Sequence, residues 1–420
     1  MTDLLIIAQT AWETARKLSQ LTTQQKNDFL TCLAQQLRHH SQPILAANQQ
    51  DITNAQQAGL SPALIDRLLL SQSRLNAIAH DLDDLIAMPD PVGTLLEEKT
   101  LPSGLHAKRI RVPLGVMAVI YEARPNVTVD ISALGIKSGN AVILRGGKET
   151  LASNLALVSV IRDCLQAAGI PPNAVQFIDD PDRKLVEQLV RMDQYIDLLI
   201  PRGGNALQDF CKANATMPVM TGGIGICHLF VDQSADQEKA IAVIHNAKVQ
   251  RPSVCNALDT LLVHRDIAAA FLPRVAARLQ TDNVQLRCDH SSLQILGLNP
   301  QNGILAAEEG DFDQEWLSLV LGIRIVDSID QAIEHIHYHS TQHSDGILTN
   351  DPAHAQRFVN EVDSAAVYVN ASTRFTDGAQ LGLGGEVAVS TQKLHARGPI
   401  GLEGLTTYKW VLEGDYTVRG

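Results

Sequence analysis

Apolar positions in the first 90 residues recur every three to four places, the period of an amphipathic helix. Thr22-Thr23-Gln24-Gln25 has the form of a capping box, and Phe29, Leu30, Leu33 and Leu37 follow at helical spacing. Gly59 closes one helical stretch, and Ser61-Pro62 opens the next as an N-cap followed by a first-turn proline. Between 94 and 112 the pattern becomes extended, in two runs around Leu101-Pro102-Ser103-Gly104, which predicts a hairpin.

Strand and helix patterns then alternate. Strands at 116–121, 141–145, 175–178 and 196–200 precede helices at 127–137, 150–168, 182–192 and 205–213. A second set places strands at 227–231 and 260–263 before helices at 237–247 and 267–279. Short strands separated by helices require right-handed crossovers and parallel sheets covered on both faces, so the fold class is α/β. The uncharged stretch 213–231 contains Pro218, His228 and three glycines, and it predicts two short strands about a glycine turn rather than a membrane helix. No low-complexity linker intervenes, and the domain boundary is placed by element order near 230.

Composition narrows the possible functions. A chain of 420 residues, 45% hydrophobic and 19% charged, suits a globular protein of two or three domains with no need of a metal or disulfide staple. The formal charge of −12 argues against nucleic acid as the main partner. Met1-Thr2-Asp3-Leu4 lacks a basic signal region, and six cysteines without a C-x-x-C pair fit reduced thiols, so a cytoplasmic, non-membrane location is expected.

Five cysteines sit in apolar patterns: Cys32 with Phe29 and Leu33, Cys164 with Ile161 and Leu165, Cys211 after Leu207 and Phe210, Cys227 in an apolar strand, and Cys288 after Val284 and Leu286. All five read as small buried hydrophobes. Cys255 lies instead in the polar segment Lys248-Val249-Gln250-Arg251-Pro252-Ser253-Val254-Cys255-Asn256, where Pro252 excludes a helix interior. Lys248 and Arg251 there favour a thiolate. By itself the segment reads equally as a nucleophile's loop or as a partly buried connector.

From 105 to 148 the basic residues Lys108, Arg109, Arg111, Arg124, Lys137, Arg145 and Lys148 face only Glu122 and Asp130. A positive island beside the first strands of a parallel sheet suits an anionic ligand, although Lys108, Arg109 and Arg111 fit a solvated hairpin better. Arg145-Gly146-Gly147-Lys148 follows one strand and Pro201-Arg202-Gly203-Gly204 follows another, where glycines let backbone amides approach phosphate. Each loop alone also serves as a tight turn, and neither matches G-x-G-x-x-G or a Walker loop. Together they point to a dinucleotide.

Longer strings carry more. They are Val112-Pro113-Leu114-Gly115, Tyr121-Glu122-Ala123-Arg124-Pro125-Asn126-Val127-Thr128, Leu144-Arg145-Gly146-Gly147-Lys148-Glu149 and Leu199-Ile200-Pro201-Arg202-Gly203-Gly204. Gln250-Arg251-Pro252-Ser253 before Cys255, Thr341-Gln342-His343-Ser344-Asp345, Tyr368-Val369-Asn370-Ala371-Ser372-Thr373-Arg374-Phe375-Thr376-Asp377-Gly378 and Gln392-Lys393-Leu394-His395-Ala396-Arg397-Gly398-Pro399 complete the set. Across essentially the whole chain they resemble the gamma-glutamyl phosphate reductase (glutamate-5-semialdehyde dehydrogenase) family, a branch of the aldehyde dehydrogenase superfamily.

The resemblance implies an aldehyde dehydrogenase-like fold of two Rossmann-like parallel-sheet domains plus a small β oligomerisation element. It implies a cofactor-binding domain over 1–230, with the hairpin 94–112 as the oligomerisation element. A catalytic domain carrying Cys255 spans 231–370, and 371–420 returns to the cofactor domain and adds a C-terminal oligomerisation strand. The implied activity is NADPH-dependent reduction of L-glutamate 5-phosphate to L-glutamate 5-semialdehyde and phosphate, the second step of proline biosynthesis. Cys255 is then the nucleophile that carries a thioester, and Asn126 the oxyanion donor together with the Cys255 backbone N–H. Asn126 taken alone also reads as an Asx turn after Pro125.

For the cofactor, NADPH/NADP+, Arg145 and Lys148 resemble the ribose and 2′-phosphate contacts, Gly203 and Gly204 the pyrophosphate loop, and Glu315 the nicotinamide-ribose carboxylate. An ordinary surface carboxylate remains the other reading of Glu315. Arg124, or Arg374 with Ser372, is the candidate anchor for the substrate carboxylate. With no kinase domain preceding it, the chain reads as the separate reductase, a homo-oligomer associating with glutamate 5-kinase. Aldehyde-oxidising relatives carry a water-activating glutamate before a Gly-Gly pair, where this chain has Val219-Met220-Thr221-Gly222-Gly223. Methionine there suits an enzyme that must not hydrolyse its thioester, and it leaves CoA-dependent and phosphate-dependent acyl chemistry both open.

Two features invite other readings. His335, His339 and His343 can share one helix face like a metal cluster, but Ser328-x-x-Gln331 with Ile329, Ile333 and Ile336 reads as a capping box with an apolar stripe. No cysteine or carboxylate pair completes a site, so no metal is expected. Gly382-Leu383-Gly384-Gly385-Glu386 reads as a loop closing on the active site or as a plain turn. The end, 407–418, reads as extended and joins the hairpin in an intersubunit sheet.

Overall fold

The computed structural model describes residues 3–419. Most of its α-helices begin where a side chain satisfies a free N–H group of the first turn. Thr22 Oγ1 accepts from Gln25 N at 3.2 Å while Gln25 Oε1 accepts from Thr22 N at 3.1 Å, the reciprocal box expected there. The chain divides into two compact units, Met1–Gly222 with Gly382–Ala388 and Ile400–Gly420, and Gly223–Leu381 with Val389–Pro399.

The first unit opens with five helices, α1 (Leu4–Leu18), α2 (Thr23–His39), α3 (Gln42–Gln57), α4 (Pro62–Leu68) and α5 (Gln72–Ala87). An antiparallel hairpin follows, β1 (Leu95–Thr100) and β2 (His106–Pro113), turning at Gly104 with φ of 86°. Then come β3 (Val116–Tyr121), α6 (Asn126–Lys137), β4 (Ala141–Arg145), α7 (Leu151–Ala167), β5 (Val175–Phe177), α8 (Arg183–Leu189), β6 (Leu198–Arg202) and α9 (Asn205–Asn214). Their sheet is parallel, in the order β5-β4-β3-β6, and β3 is buried along its whole length. From β3 the chain moves to one side through β4 and β5, then crosses to β6 on the other. That reversal makes the carboxyl ends of β3 and β6 a topological switch point, where sheets of this kind take ligands.

The second unit contains β7 (Cys227–Val231), α10 (Gln237–Val249), β8 (Leu258–His264), α11 (Arg265–Gln280), β9 (Gln285–Cys288), α12 (His290–Leu296) and β10 (Ile304–Ala306). It continues with β11 (Val320–Val326), α13 (Ile329–His339), β12 (Ser344–Leu348), α14 (Pro352–Glu361) and β13 (Ala366–Val369). These seven strands form a second parallel sheet, β10-β9-β11-β8-β7-β12-β13. Leu229, Leu261, Ile323 and Phe271 anchor its core. Two short strands, β14 (Val389–Ser390) and β15 (Gly398–Pro399), pair antiparallel. The last strand, β16 (Thr406–Glu413), belongs to the first unit and pairs with β2, so the hairpin becomes the sheet β1-β2-β16.

Three expectations are corrected. Cys32 on α2 and Cys164 on α7 are joined by a disulfide instead of being separate thiols, because the two helices pack together and bring the Cα atoms to 5.5 Å. Within 213–231 only Cys227–Val231 forms a strand. The stretch before it makes a single parallel bridge, Val219 to Leu199, before its glycines interrupt. Finally, α13 stops at His339 with Ser340 in an extended conformation, so His343 lies beyond the helix and shares no face with His335 and His339. No helix among the described residues is long and apolar enough to cross a membrane.

Candidate active site

In the first unit three loops leave the carboxyl ends of neighbouring strands, with Arg145 and Arg202 in register with Ile120 and Tyr121 of β3. A buried chain of hydrogen bonds sets their positions. Tyr121 OH lies 2.6 Å from Thr128 Oγ1, which donates to Asn154 Oδ1 at 2.9 Å. Asn154 Nδ2 donates to Thr150 Oγ1 at 3.0 Å, and Thr150 Oγ1 donates to Gly147 O at 3.2 Å. Burial raises the Tyr121 pKa, so its phenol stays a donor. A Cβ on Gly146 would collide with Asn154, so only glycine lets this network close.

The loop after β6 already holds an anion. Glu122 Oε2 accepts from Gly204 N at 3.1 Å, at the amino end of α9. A Cβ on Gly203 would come within 2.6 Å of the same oxygen, while Gly204 has nothing within 4 Å of that position. A diphosphate is an acceptor of the same kind as this carboxylate, so the loop has the chemistry to hold a dinucleotide. Arg145 is turned to backbone, donating to Gly146 O at 3.1 Å and Pro181 O at 2.7 Å, and Lys148 is exposed.

The turn from β3 into α6 carries Ala123 at φ of 44°, a left-handed conformation that costs a non-glycine residue about 1 kcal/mol or more. Arg124 is exposed on that turn. Asn126 is the first residue of α6, and its Nδ2 donates to Asp130 Oδ2, one turn on, at 2.9 Å.

In the second unit the chemistry collects at the amino ends of strands. Cys255 precedes β8 and is partly exposed, whereas the other free thiols, Cys211, Cys227 and Cys288, are buried. Burial pushes Cys211 up to about 11, Cys288 up to about 12 and Cys227 well above the ordinary thiol value. Gly225, just before β7, lies so close that a Cβ there would overlap the Cys255 carbonyl. Gly225 N donates to Glu315 Oε1 at 3.0 Å, and Cys227 Sγ donates to Cys255 O at 3.2 Å. Burial raises the Glu315 pKa, and the Gly225 N–H opposes that rise.

Asp259 ties this edge together. Its Oδ2 accepts from Cys227 N at 3.3 Å and its Oδ1 from Trp316 N at 3.1 Å, which fixes the segment bearing Glu315. Lys248 Nζ lies 3.6 Å from the same carboxylate and donates to Leu258 O at 2.8 Å. The lysine expected to favour the thiolate is thus committed to a buried pair. Burial lowers its pKa and raises Asp259 to about 6, outweighing their attraction on both sides.

Arg374 and Ser372 come to Asn256, the neighbour of Cys255. Arg374 NH1 donates to Asn256 Oδ1 and Nε to Gln250 Oε1 at 3.1 Å, while Ser372 Oγ accepts from Arg374 N at 3.3 Å. Asn256 Nδ2 donates to Thr376 O at 2.9 Å, and Thr373 Oγ1 donates to Asn256 O at 2.7 Å. Four residues matter here that the sequence reading passed over: Asn256, Asp259, Gly225 and Asp130. Only Asn256, adjacent to Cys255, and Asp130, one helical turn from Asn126, had a positional signal. The histidines serve packing: the rings of His335 and His339 stack at 4.3 Å, and His339 Nδ1 pairs with Asp313 at 2.7 Å.

Comparison with known proteins adds to this geometry. The model of the "Aldehyde dehydrogenase family" matches residues 2–293. The gamma-glutamyl phosphate reductase of Histophilus somni (strain 129Pt) is 56% identical over 418 residues, 99% of this chain and all of that protein. The crystal structure of gamma-glutamyl phosphate reductase from Thermotoga maritima superposes with a TM-score of 0.96 at 45% identity, covering both chains completely. An engineered glycolyl-CoA reductase with bound NADP+ shares the fold, with a TM-score of 0.69 at 16% identity over 98% of this chain and 96% of that one.

Proposed function

The chain belongs to the aldehyde dehydrogenase family, in its gamma-glutamyl phosphate reductase branch, and from that premise we propose that it works through a thioester on Cys255 with NADPH as reductant. It is a glutamate-5-semialdehyde dehydrogenase of proline biosynthesis. The observation that carries the mechanism is the contrast among its thiols: one free cysteine is partly exposed on a polar loop, and the others are sealed.

In this reading the Cys255 thiolate attacks the acyl carbon of L-glutamate 5-phosphate, the bond to the phosphate oxygen breaks, and phosphate departs with the proton that the thiol gave up. Asn126 Nδ2 and the Cys255 backbone N–H stabilise the negative charge that builds on the carbonyl oxygen. When bound, NADPH supplies the hydride that turns the acyl group into an aldehyde. Cys255 then leaves as thiolate and takes up a proton from solvent, the proton that the overall reduction consumes, so the thiol is restored. Met220, only 3% exposed, stands where oxidising relatives place a water-activating base, which favours a thioester that outlives contact with water.

We assign the cofactor to the first unit, with Gly203 and Gly204 on the diphosphate and Arg145 and Lys148 towards the ribose and 2′-phosphate. Glu315 of the second unit is assigned to the nicotinamide ribose, and Arg374 with Ser372, or Arg124, to the substrate carboxylate. The exposed Tyr408, Trp410 and Leu412 of β16 are the surface assigned to a second copy. The deciding experiment is phosphate-dependent reduction of NADP+ by glutamate semialdehyde, wild type against Cys255→Ser. Loss of turnover in the variant together with a glutamyl adduct on Cys255 by mass spectrometry supports the reading; equal turnover, or indifference to phosphate, overturns it.

A further inference from the structure

The substrate of this reaction carries an α-ammonium group that simple acyl phosphates lack, and no residue above has been given the task of recognising it. Asp130 is a carboxylate in an unusual setting. It is set into the first unit on α6, not sealed from solvent, and only one of its oxygens accepts a hydrogen bond among the described residues, Oδ2 from Asn126 Nδ2 at 2.9 Å. It forms no ion pair among the described residues. Burial raises its pKa to about 7; the Asn126 amide lowers it, the charge of Asp81 on α5 raises it, and that of Arg202 at the end of β6 lowers it. A neutral asparagine or serine would hold the Asn126 amide as well, at a smaller desolvation cost.

Resting on the reading above, we propose that Asp130 is the counter-ion of the substrate's α-ammonium group and so makes the enzyme specific for an amino acid. The spacing supports this. Four bonds separate the carbonyl carbon of the substrate from its amino nitrogen, a span of about 5 Å when extended. A carbonyl oxygen held by Asn126 Nδ2 and an ammonium held by Asp130 are two ends of that span, because the two side chains are themselves hydrogen-bonded neighbours. One N–H of the Asn126 amide goes to Asp130 and the other remains for the oxyanion. The free Oδ1 then receives the ammonium in a charge-assisted bond. The pairing also has a chemical use. A γ-amino aldehyde closes on itself to a cyclic imine only through its free amine, and a carboxylate partner keeps that amine protonated until the product leaves.

The test compares L-glutamate 5-semialdehyde with 5-oxopentanoate, which lacks the amine, in the phosphate-dependent reduction of NADP+. Asp130→Asn is expected to raise KM for the amino substrate at least 30-fold and to leave 5-oxopentanoate within about twofold, removing the preference for the amine. A second measurement needs no variant. In the wild type, the ratio of kcat/KM for the two substrates, each referred to its open-chain aldehyde concentration at that pH, should fall as pH drops through about 7, where Asp130 takes up its proton; the titration of phosphate is common to both and cancels. Equal losses of kcat on both substrates in Asp130→Asn, with a pH-independent ratio in the wild type, would show that the residue only positions Asn126 and overturn the proposal. Failure of the wild type to use either aldehyde with phosphate would instead remove the acyl-phosphate reading beneath it.

Discussion

The thiol of Cys227 donates to the carbonyl oxygen of Cys255 at 3.2 Å, so a buried strand holds the backbone of the partly exposed Cys255 loop. The same carbonyl is closed in by Gly225, whose missing side chain makes the approach possible. Two strands' amino ends are thereby locked to each other, and the loop that carries the Cys255 sulfur is held through its backbone.

Gly225→Ala therefore places a methyl group where the Cys255 carbonyl now lies. The loop must move by about an ångström, and displacement on that scale costs on the order of 100-fold in turnover. Steady-state kinetics should show kcat falling with KM for NADP+ little changed, and a fully active alanine variant would mean that the loop is not held by this close approach.

Thiol chemistry should discriminate sharply among the cysteines. At pH 8 the buried thiols, pushed up to about 11 at Cys211 and about 12 at Cys288, have almost no thiolate, and burial and nearby carboxylates hold Cys227 well above the ordinary thiol value. Native protein is expected to take up one equivalent of iodoacetamide, on Cys255, and Cys255→Ser none. Peptide mapping that finds the label on Cys227 would contradict this.

The Lys248–Asp259 pair predicts a stability effect. Asp259→Asn turns an amide N–H towards one of the two backbone donors, Cys227 N or Trp316 N, that the carboxylate now satisfies and should cost about 1–3 kcal/mol in urea unfolding, whereas Lys248→Met, which removes a desolvated ammonium, should cost less. The pH dependence has a definite sign. Because the folded pKa of Asp259, about 6, lies above its unfolded value, the carboxyl's contribution is fully present below the unfolded pKa and is lost as pH rises towards 6. Stability curves over that window should lose this component in Asp259→Asn.

How much of this was legible in the sequence depends on the range over which each feature acts. The run Val116–Tyr121 shows itself as a buried parallel strand because six apolar residues lie between Gly115 and Glu122. The Thr22–Gln25 box is local in the same way. Cys255 stood out because proline and charge surround it. Asp259, by contrast, is a lone acid inside an apolar strand, and its three partners come from α10, β7 and the segment before β11. The Cys32–Cys164 bond links residues 132 apart, and only the packing of α2 on α7 specifies it. The end of α13 was misjudged because no glycine or proline marks it; Ser340 leaves the helix to give its hydroxyl to Asp345 Oδ2 at 2.6 Å.

The carboxylate of Glu122 on Gly204 N leads to the last prediction. An anion already sits on the amino end of α9, and a cofactor diphosphate placed there must displace it. Glu122→Ala removes that competitor without touching the glycines, so NADP+ should bind more tightly. An exposed charge-assisted hydrogen bond is worth about 1 kcal/mol, which corresponds to roughly a fivefold fall in Kd. Titration calorimetry across ionic strength can read the change, since removing a like charge also steepens the salt dependence of binding. Weaker binding in Glu122→Ala would mean that the carboxylate is part of the cofactor site, accepting from a ribose hydroxyl, and not a stand-in for the diphosphate.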